Sequence, residues 1–255
     1  MKIAVLIKQV PDTWGERSLD SRTARVRRDG ELVIDEINER ALEAALAFRD
    51  RNKKTEIVSI SVGPDAAAEA LRKSLAIGAD SAVHVIDQAL EGADAVATSI
   101  ALAGAIETVS PDVIIAGNVS TDGRSGVVPA MVAERLGLPL LSALDDLELA
   151  YDRASGTRVI DTGTQRLSAP LPALVTITER MPEARFPSFK SILSAKRKPI
   201  VRMSLDQLGI SIPSAARSVV LGAVERPART AGRIVVDDGV AAAELAAFLA
   251  TERLI

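Results

Sequence analysis

The chain has 255 residues, 47% of them hydrophobic, which bounds it to one large α/β domain or a domain with an appendage and excludes a disordered chain. A net charge of -3 and a pI near 5.4 exclude a nucleic-acid surface, since Lys196-Arg197-Lys198 is too short a basic run to supply one. The absence of cysteine excludes disulfides, thiolate catalysis and cysteine-ligated iron–sulfur clusters, and fits a reducing cytoplasm.

Residues 2–7 read as a buried strand, too short an apolar run for a signal peptide and without its small-residue cleavage site. A polar stretch over 11–30 reads as a loop. Val33-Ile34 lead into a helix on which Ile37, Ala41, Leu42, Ala45 and Phe48 share one face. Residues 56–62 form a second strand, and Gly63-Pro64-Asp65 turn the chain into a helix that runs to Gly78. A third strand over 81–86 contains His84, the only histidine, which reads as a strand residue near the surface rather than a catalytic or metal-binding group. A helix over 92–110 is stopped by Pro111, residues 113–116 form a fourth strand, and a polar loop leads to a helix over 126–136. No stretch reaches the roughly 18 apolar residues of a membrane helix. The nearest, 127–144, is broken by Glu134-Arg135 and Pro139.

This alternation predicts an α/β fold: a Rossmann-like, doubly wound parallel sheet with helices on both faces. Ligands in such sheets bind beyond the carboxyl ends of the strands where strand order reverses, which nominates the loops after Ile7, Val62 and Ala116. Beyond residue 140 the pattern changes. Residues 146–151 and 157–160 flank Asp152-Arg153-Ala154-Ser155-Gly156 as a β-hairpin, 172–178 are a further strand, and 188–195 a short helix. Residues 199–238 read as an extended arm and 240–249 as an Ala-rich closing helix. The expected division is a domain over 1–198 and an arm with its helix over 199–255.

The loop Gly117-Asn118-Val119-Ser120-Thr121-Asp122-Gly123-Arg124-Ser125-Gly126 follows a buried strand and precedes a helix. Its glycines permit close backbone approach, and the free amides and partial positive charge of the next helix suit a phosphate. Ser120, Thr121 and Ser125 add hydroxyls, Arg124 adds charge, and Asp122 either accepts from a ribose or braces the loop. It is neither a Walker A loop nor a Gly-x-Gly-x-x-Gly fingerprint, and spacing alone leaves a plain surface loop capped by Ser125 as an equal reading. In Arg185-Phe186-Pro187-Ser188-Phe189, two of the four phenylalanines sit in one loop, either as a surface anchor or folded back over the core.

Several segments, in order along nearly the whole chain, resemble the beta subunit of electron transfer flavoproteins. They are Ile7-Lys8-Gln9-Val10-Pro11-Asp12-Thr13, the run from Asp35 to Ala45, Ser61-Val62-Gly63-Pro64, Leu75-Ala76-Ile77-Gly78-Ala79-Asp80, Ala116 to Gly123, Leu171 to Thr176, and Arg229-Thr230-Ala231-Gly232. The resemblance implies a carrier rather than an enzyme: a heterodimer with an alpha subunit that holds a redox-active FAD, while this subunit holds a structural AMP. Electrons would pass from flavin dehydrogenases, such as acyl-CoA dehydrogenases, to a membrane quinone oxidoreductase. The implied AMP contacts are Leu6, Asp35, Glu36, Ile37, Asn38, Val62 and Gly117 through Val127 and Val128. The implied dehydrogenase-docking loop is Arg185 to Ser191 with Phe189 as its anchor, and the arm would pack on the alpha subunit.

The chain departs from the family pattern at several points. Asp35-Glu36 replace the usual Asn-Pro and bring two carboxylates near the expected nucleotide, where they would repel phosphate. Arg124-Ser125 differ from the acidic residue and Thr of members that bind a second FAD here, which favours AMP. Asp161-Thr162-Gly163 and Pro182-Glu183-Ala184-Arg185 also differ from the family, pointing to a specialised paralogue. A stand-alone adenine-nucleotide module would leave the arm and aromatic loop without purpose. An adenylating enzyme would need a pyrophosphate loop where Gln9-Val10-Pro11-Asp12 stand.

Overall fold

The computed structural model describes residues 1–15, 17–212, 220–224, 226–227 and 232–255. The motif residues Arg229, Thr230 and Ala231 thus lie outside the described residues. Two compact units are present, Met1–Leu221 and Gly222–Ile255. The first runs through β1 (Lys2–Leu6), β2 (Gln9–Pro11), β3 (Leu32–Ile34), α1 (Glu36–Arg51), β4 (Glu56–Val62), α2 (Ala67–Ile77), β5 (Ser81–Val85), α3 (Ala95–Val109), β6 (Val113–Gly117) and α4 (Val128–Leu136). It continues through β7 (Leu140–Leu144), β8 (Glu148–Leu149), β9 (Arg153–Ile160), β10 (Gly163–Pro170), β11 (Ala173–Ile177), α5 (Phe189–Ala195) and β12 (Ile200–Met203). The second unit holds α6 (Ala241–Thr251), whose Leu245 and Phe248 stay largely exposed. Among the described residues no helix is long and apolar enough to cross a membrane.

Seven strands form one sheet in the order β12-β5-β4-β1-β6-β11-β7, with every neighbouring pair parallel. A parallel sheet is covered on both faces, so its strands are apolar without a break. Ile3, Val5, Ile57, Val113 and Ile115 pack under α1 and α2, while Ala4, Leu6, Val58, Ile60 and Ile114 pack under α3 and α4. Leu42 and Leu46 of α1 are fully buried, a burial that contributes about 2 kcal/mol per side chain. The chain starts at the centre with β1 and moves outward through β4 and β5. It then returns over α3 to β6 on the other side, so strand order reverses beside β1.

Three expectations are corrected, and one strand is added. The principal hairpin joins β9 to β10 with its turn at Asp161-Thr162, and residues 153–156 lie inside β9; a shorter antiparallel pair, β8 with β9, turns at 150–152. Residues 140–144, unassigned in the sequence, form edge strand β7. Residues 200–203 are not arm: β12 pairs with β5 in the main sheet, so the compact unit reaches Leu221 rather than ending at 198. His84 is fully buried rather than near the surface. Its Nε2 lies 3.0 Å from the Gly63 carbonyl oxygen, and burial lowers its pKa, keeping the ring neutral.

Candidate nucleotide-binding site

The carboxyl ends of β1, β4 and β6 open onto a cavity of about 1120 Å³. Of the residues expected there, Leu6, Ile37, Asn38, Val62, Gly117, Asn118, Ser120, Asp122, Gly123, Ser125, Gly126 and Val128 line it. Val119, Thr121, Arg124 and Val127 belong to the same loop but point elsewhere, and Asp35 and Glu36 do not reach the cavity. Sequence reading omitted Lys8, Arg25 and Arg28, all on its wall. Lys8 follows directly on β1, a position that marked it; the two arginines arrive from a remote loop by contacts no local pattern encodes.

Helix α4 explains the loop's chemistry. Its N-cap, Val127, offers no side-chain acceptor, and Ser125 does not cap it. The amides of Ser125, Gly126 and Val127 donate to no acceptor among the described hydrogen bonds, and Pro129 has no amide. A helix start left open in this way attracts an anion. Gly126 has φ +65°, where a side chain would be strained. Gly117 lies so close to α1 that a Cβ there would fall 2.5 Å from Ile37 Cγ2.

The carboxylates nearest the 117–126 loop, Asp122 and Asp35, are arranged so that they do not oppose a phosphate, while Asp65, Asp87, Glu91 and Asp94 line the other parts of the cavity. Burial alone would push the Asp122 carboxyl up, but Lys8 Nζ, 2.6 Å away, and the Gly123 amide hold it at about 2. Arg28 pairs with its other oxygen. Two cations around one carboxylate leave this wall with a net positive charge. Asp35 sits beneath the loop rather than in the cavity. It occupies the N-cap position of α1 without capping it, because Oδ2 instead accepts the Thr121 amide at 2.9 Å. Its Oδ1 is buried with no partner, as is Thr121 Oγ1. Glu36 turns outward to Thr13. Asn38 Oδ1 accepts the Lys8 amide at 2.7 Å and fixes the cavity floor.

Burial raises the pKa of Asp35 above its ordinary value of 3.8. A raised carboxyl costs stability while ionised, and the cost disappears as pH falls through the folded-state pKa toward the unfolded one. Asp35→Asn keeps an acceptor for the Thr121 amide and removes the charge. It should therefore melt higher than wild type at pH 7, with the difference fading near pH 4. A lower melting temperature for the variant at pH 7 would contradict this account.

The aromatic loop is tied to α1 rather than free. The Arg185 guanidinium faces Glu43 at 2.7 Å and Asp50 at 2.8 Å, and Arg40 donates to the Met181 carbonyl. So braced, the loop turns Phe186 (97% exposed) and Phe189 (78% exposed) outward, and Ser188 caps α5 by accepting the Ser191 amide. The folded-back reading of these rings is thereby removed. Arg185 is an internal anchor here.

The model of the electron transfer flavoprotein domain matches residues 23–208. The electron transfer flavoprotein subunit beta of Mycobacterium leprae is 42% identical over 99% of both chains, and that of Mycobacterium tuberculosis 41% over 99% of both. A protein of Acetobacterium woodii named caffeyl-CoA reductase-Etf complex subunit CarD is 33% identical over 92% of both. A sheet that reverses beside β1, over an open helix start, thus has its relatives among redox carriers, and the chain belongs to the electron transfer flavoprotein family. Within that family it is a beta subunit, a part of an electron carrier rather than an enzyme.

Proposed function

We propose that this beta subunit pairs with an electron transfer flavoprotein alpha subunit and holds one adenine nucleotide, AMP, in the cavity beside β1. The observation that carries the reading is the pair of unpaired amides at Ser125 and Gly126, residues that line the cavity together with Lys8 and Arg28. These groups would hold the phosphate, with Ser120 and Ser125 as further donors. Asp35 would brace the loop from behind, and Asn38 and Asp122, on the cavity wall, would hold Lys8 in place. FAD, bound mainly by the alpha subunit, would supply the redox chemistry, and the present chain supplies position and surroundings.

Phe186 and Phe189, held outward by Arg185, would meet the flavin dehydrogenase that donates electrons. A relative named as a subunit of a reductase–Etf complex is consistent with such a donor. A quinone oxidoreductase would accept them. The exposed apolar face of α6, with Leu245 and Phe248, would pack on the alpha subunit, and the cytoplasm is the expected compartment.

Co-expression of both subunits, followed by acid extraction and mass spectrometry of the released small molecules, tests the nucleotide. One AMP and one FAD per heterodimer are expected. A heterodimer with flavin but no adenine mononucleotide would remove the AMP assignment.

A further inference from the structure

The segment between β2 and β3 looks in the sequence like an unstructured polar loop. In the structure its Arg25, Val26 and Arg28 line the cavity. The segment folds on itself: Leu19 bridges Val26, the Arg27 amide donates to the Ser18 carbonyl at 3.0 Å, and the Asp20 carboxylate gathers the amides of Arg22 and Thr23. It is tied to the body at its base by the short β2–β3 pair. Among the described residues, the hydrogen bonds and ion pairs that join it to the cavity rims come from arginines.

On one rim, Arg28 pairs with Asp122 and donates to the Gln9 carbonyl at 3.0 Å, and Arg17 donates to the Thr121 carbonyl. On the opposite rim, Arg25 lies over Gly92, where a Cβ would collide with its guanidinium, and it faces Glu91 at 3.9 Å. Gly92 has φ +70°. The segment thus spans the cavity mouth from the 120s loop to the Leu90–Gly92 turn. Arg25, Val26 and Arg28 form its inner surface, next to Leu32 of β3.

We propose that residues 17–31 are a strap that closes the nucleotide site, with Arg25 as its latch and Arg28 on its hinge side. The inference rests on the nucleotide reading above and adds what sets the rate of exchange. The Arg25–Glu91 latch is an exposed ion pair, which holds weakly and is screened by salt, whereas Arg28 ends on the buried Asp122 carboxylate and forms the firmer hinge side. Opening therefore requires no unfolding of the sheet, only the release of the Arg25 side chain from its rim. Arg25 acts at the rim remote from the unpaired amides that precede α4, so it is a positioning residue that controls passage rather than a phosphate contact.

A gate and a contact differ in kinetics. Losing a direct contact speeds release alone, whereas weakening a gate speeds both entry and release. The test uses the heterodimer carrying labelled AMP, chased with unlabelled AMP, and the nucleotide-depleted heterodimer for capture. Arg25→Ala should accelerate release and capture alike, each roughly fivefold, with Kd changed by less than about twofold. Raising KCl from about 0.05 to 0.5 M should shrink the difference in exchange rate between wild type and Arg25→Ala, because salt already screens the wild-type latch. Arg25→Lys should restore most of the slow exchange. Release that quickens in Arg25→Ala without faster capture would overturn the strap, and so would rates independent of both the variant and salt. A wild-type heterodimer that binds no AMP at all would overturn the nucleotide reading and the strap with it.

Discussion

Valine in place of Gly117 should empty the cavity of nucleotide and lower the melting temperature. A Cβ at this position would lie 2.5 and 2.8 Å from Ile37 Cγ2 and Cγ1 and 3.1 Å from Asn38 Nδ2. The strand cannot retreat, because Gly117 is in register with Ile177 and the Asn118 amide donates to the Ile177 carbonyl. Helix α1 must move instead, and with it Asn38, which holds the Lys8 amide. Overpacking of this kind costs about 2 kcal/mol, or roughly 4–8 °C in a chain of this size. Gly123 is the control. A Cβ there finds nothing nearer than Ser120 Oγ at 3.5 Å, so Gly123→Ala should keep both fold and nucleotide. Thermal melting by circular dichroism and quantitation of extracted AMP read the two effects. Full AMP content in Gly117→Val would show that the strand end is not the wall of the site.

Alanine at Phe189 should slow electron transfer from the cognate flavin dehydrogenase while leaving the heterodimer and its flavin intact. The ring is 78% exposed and begins α5, whose cap is Ser188, so its removal opens no cavity. An aromatic anchor at the centre of an interface contributes about 2 kcal/mol or more, which corresponds to roughly a thirtyfold loss of kcat/KM. The effect should fall on KM more than on kcat, because the contact serves association rather than the transfer itself. A normal kcat/KM in Phe189→Ala would displace the docking assignment from this loop. Arg185 should behave differently, since its guanidinium is spent on Glu43 and Asp50.

The sheet's inner strands were legible because they are buried on both faces and so appear as unbroken apolar runs between helices of regular period. The same logic located the cavity, since a reversal of strand order dictates where loops converge. What escaped was encoded at long range or on half-exposed strands. β10 is exposed along most of its length, leaving no apolar alternation to read. β12 has only four residues, two of them exposed, and is specified by its neighbour β5. His84 looked superficial because a histidine in a short strand is ambiguous until the covering strand is known. The family's Asn-Pro position suggested that Asp35 and Glu36 approach the ligand. In the structure Asp35 accepts the Thr121 amide 86 residues away and Glu36 faces Thr13, contacts that no local pattern encodes. Arg25 and Arg28 carry no motif at all; their role emerges only when the loop is folded over the site.

The position of β12 has a consequence for how the chain is made. β5 is complete by Val85, yet the strand that pairs with its outer side begins only at Ile200. Until that part of the polypeptide leaves the ribosome, β5 presents a row of unpaired amides and carbonyls beside Val83 and Val85, the kind of open edge that recruits other chains. A polypeptide ending at Lys198 would keep that edge permanently, and would also lose the Arg202 side chain that pairs with Asp65 across the top of it. Such a truncated chain should aggregate during synthesis even though it retains every residue that lines the nucleotide cavity.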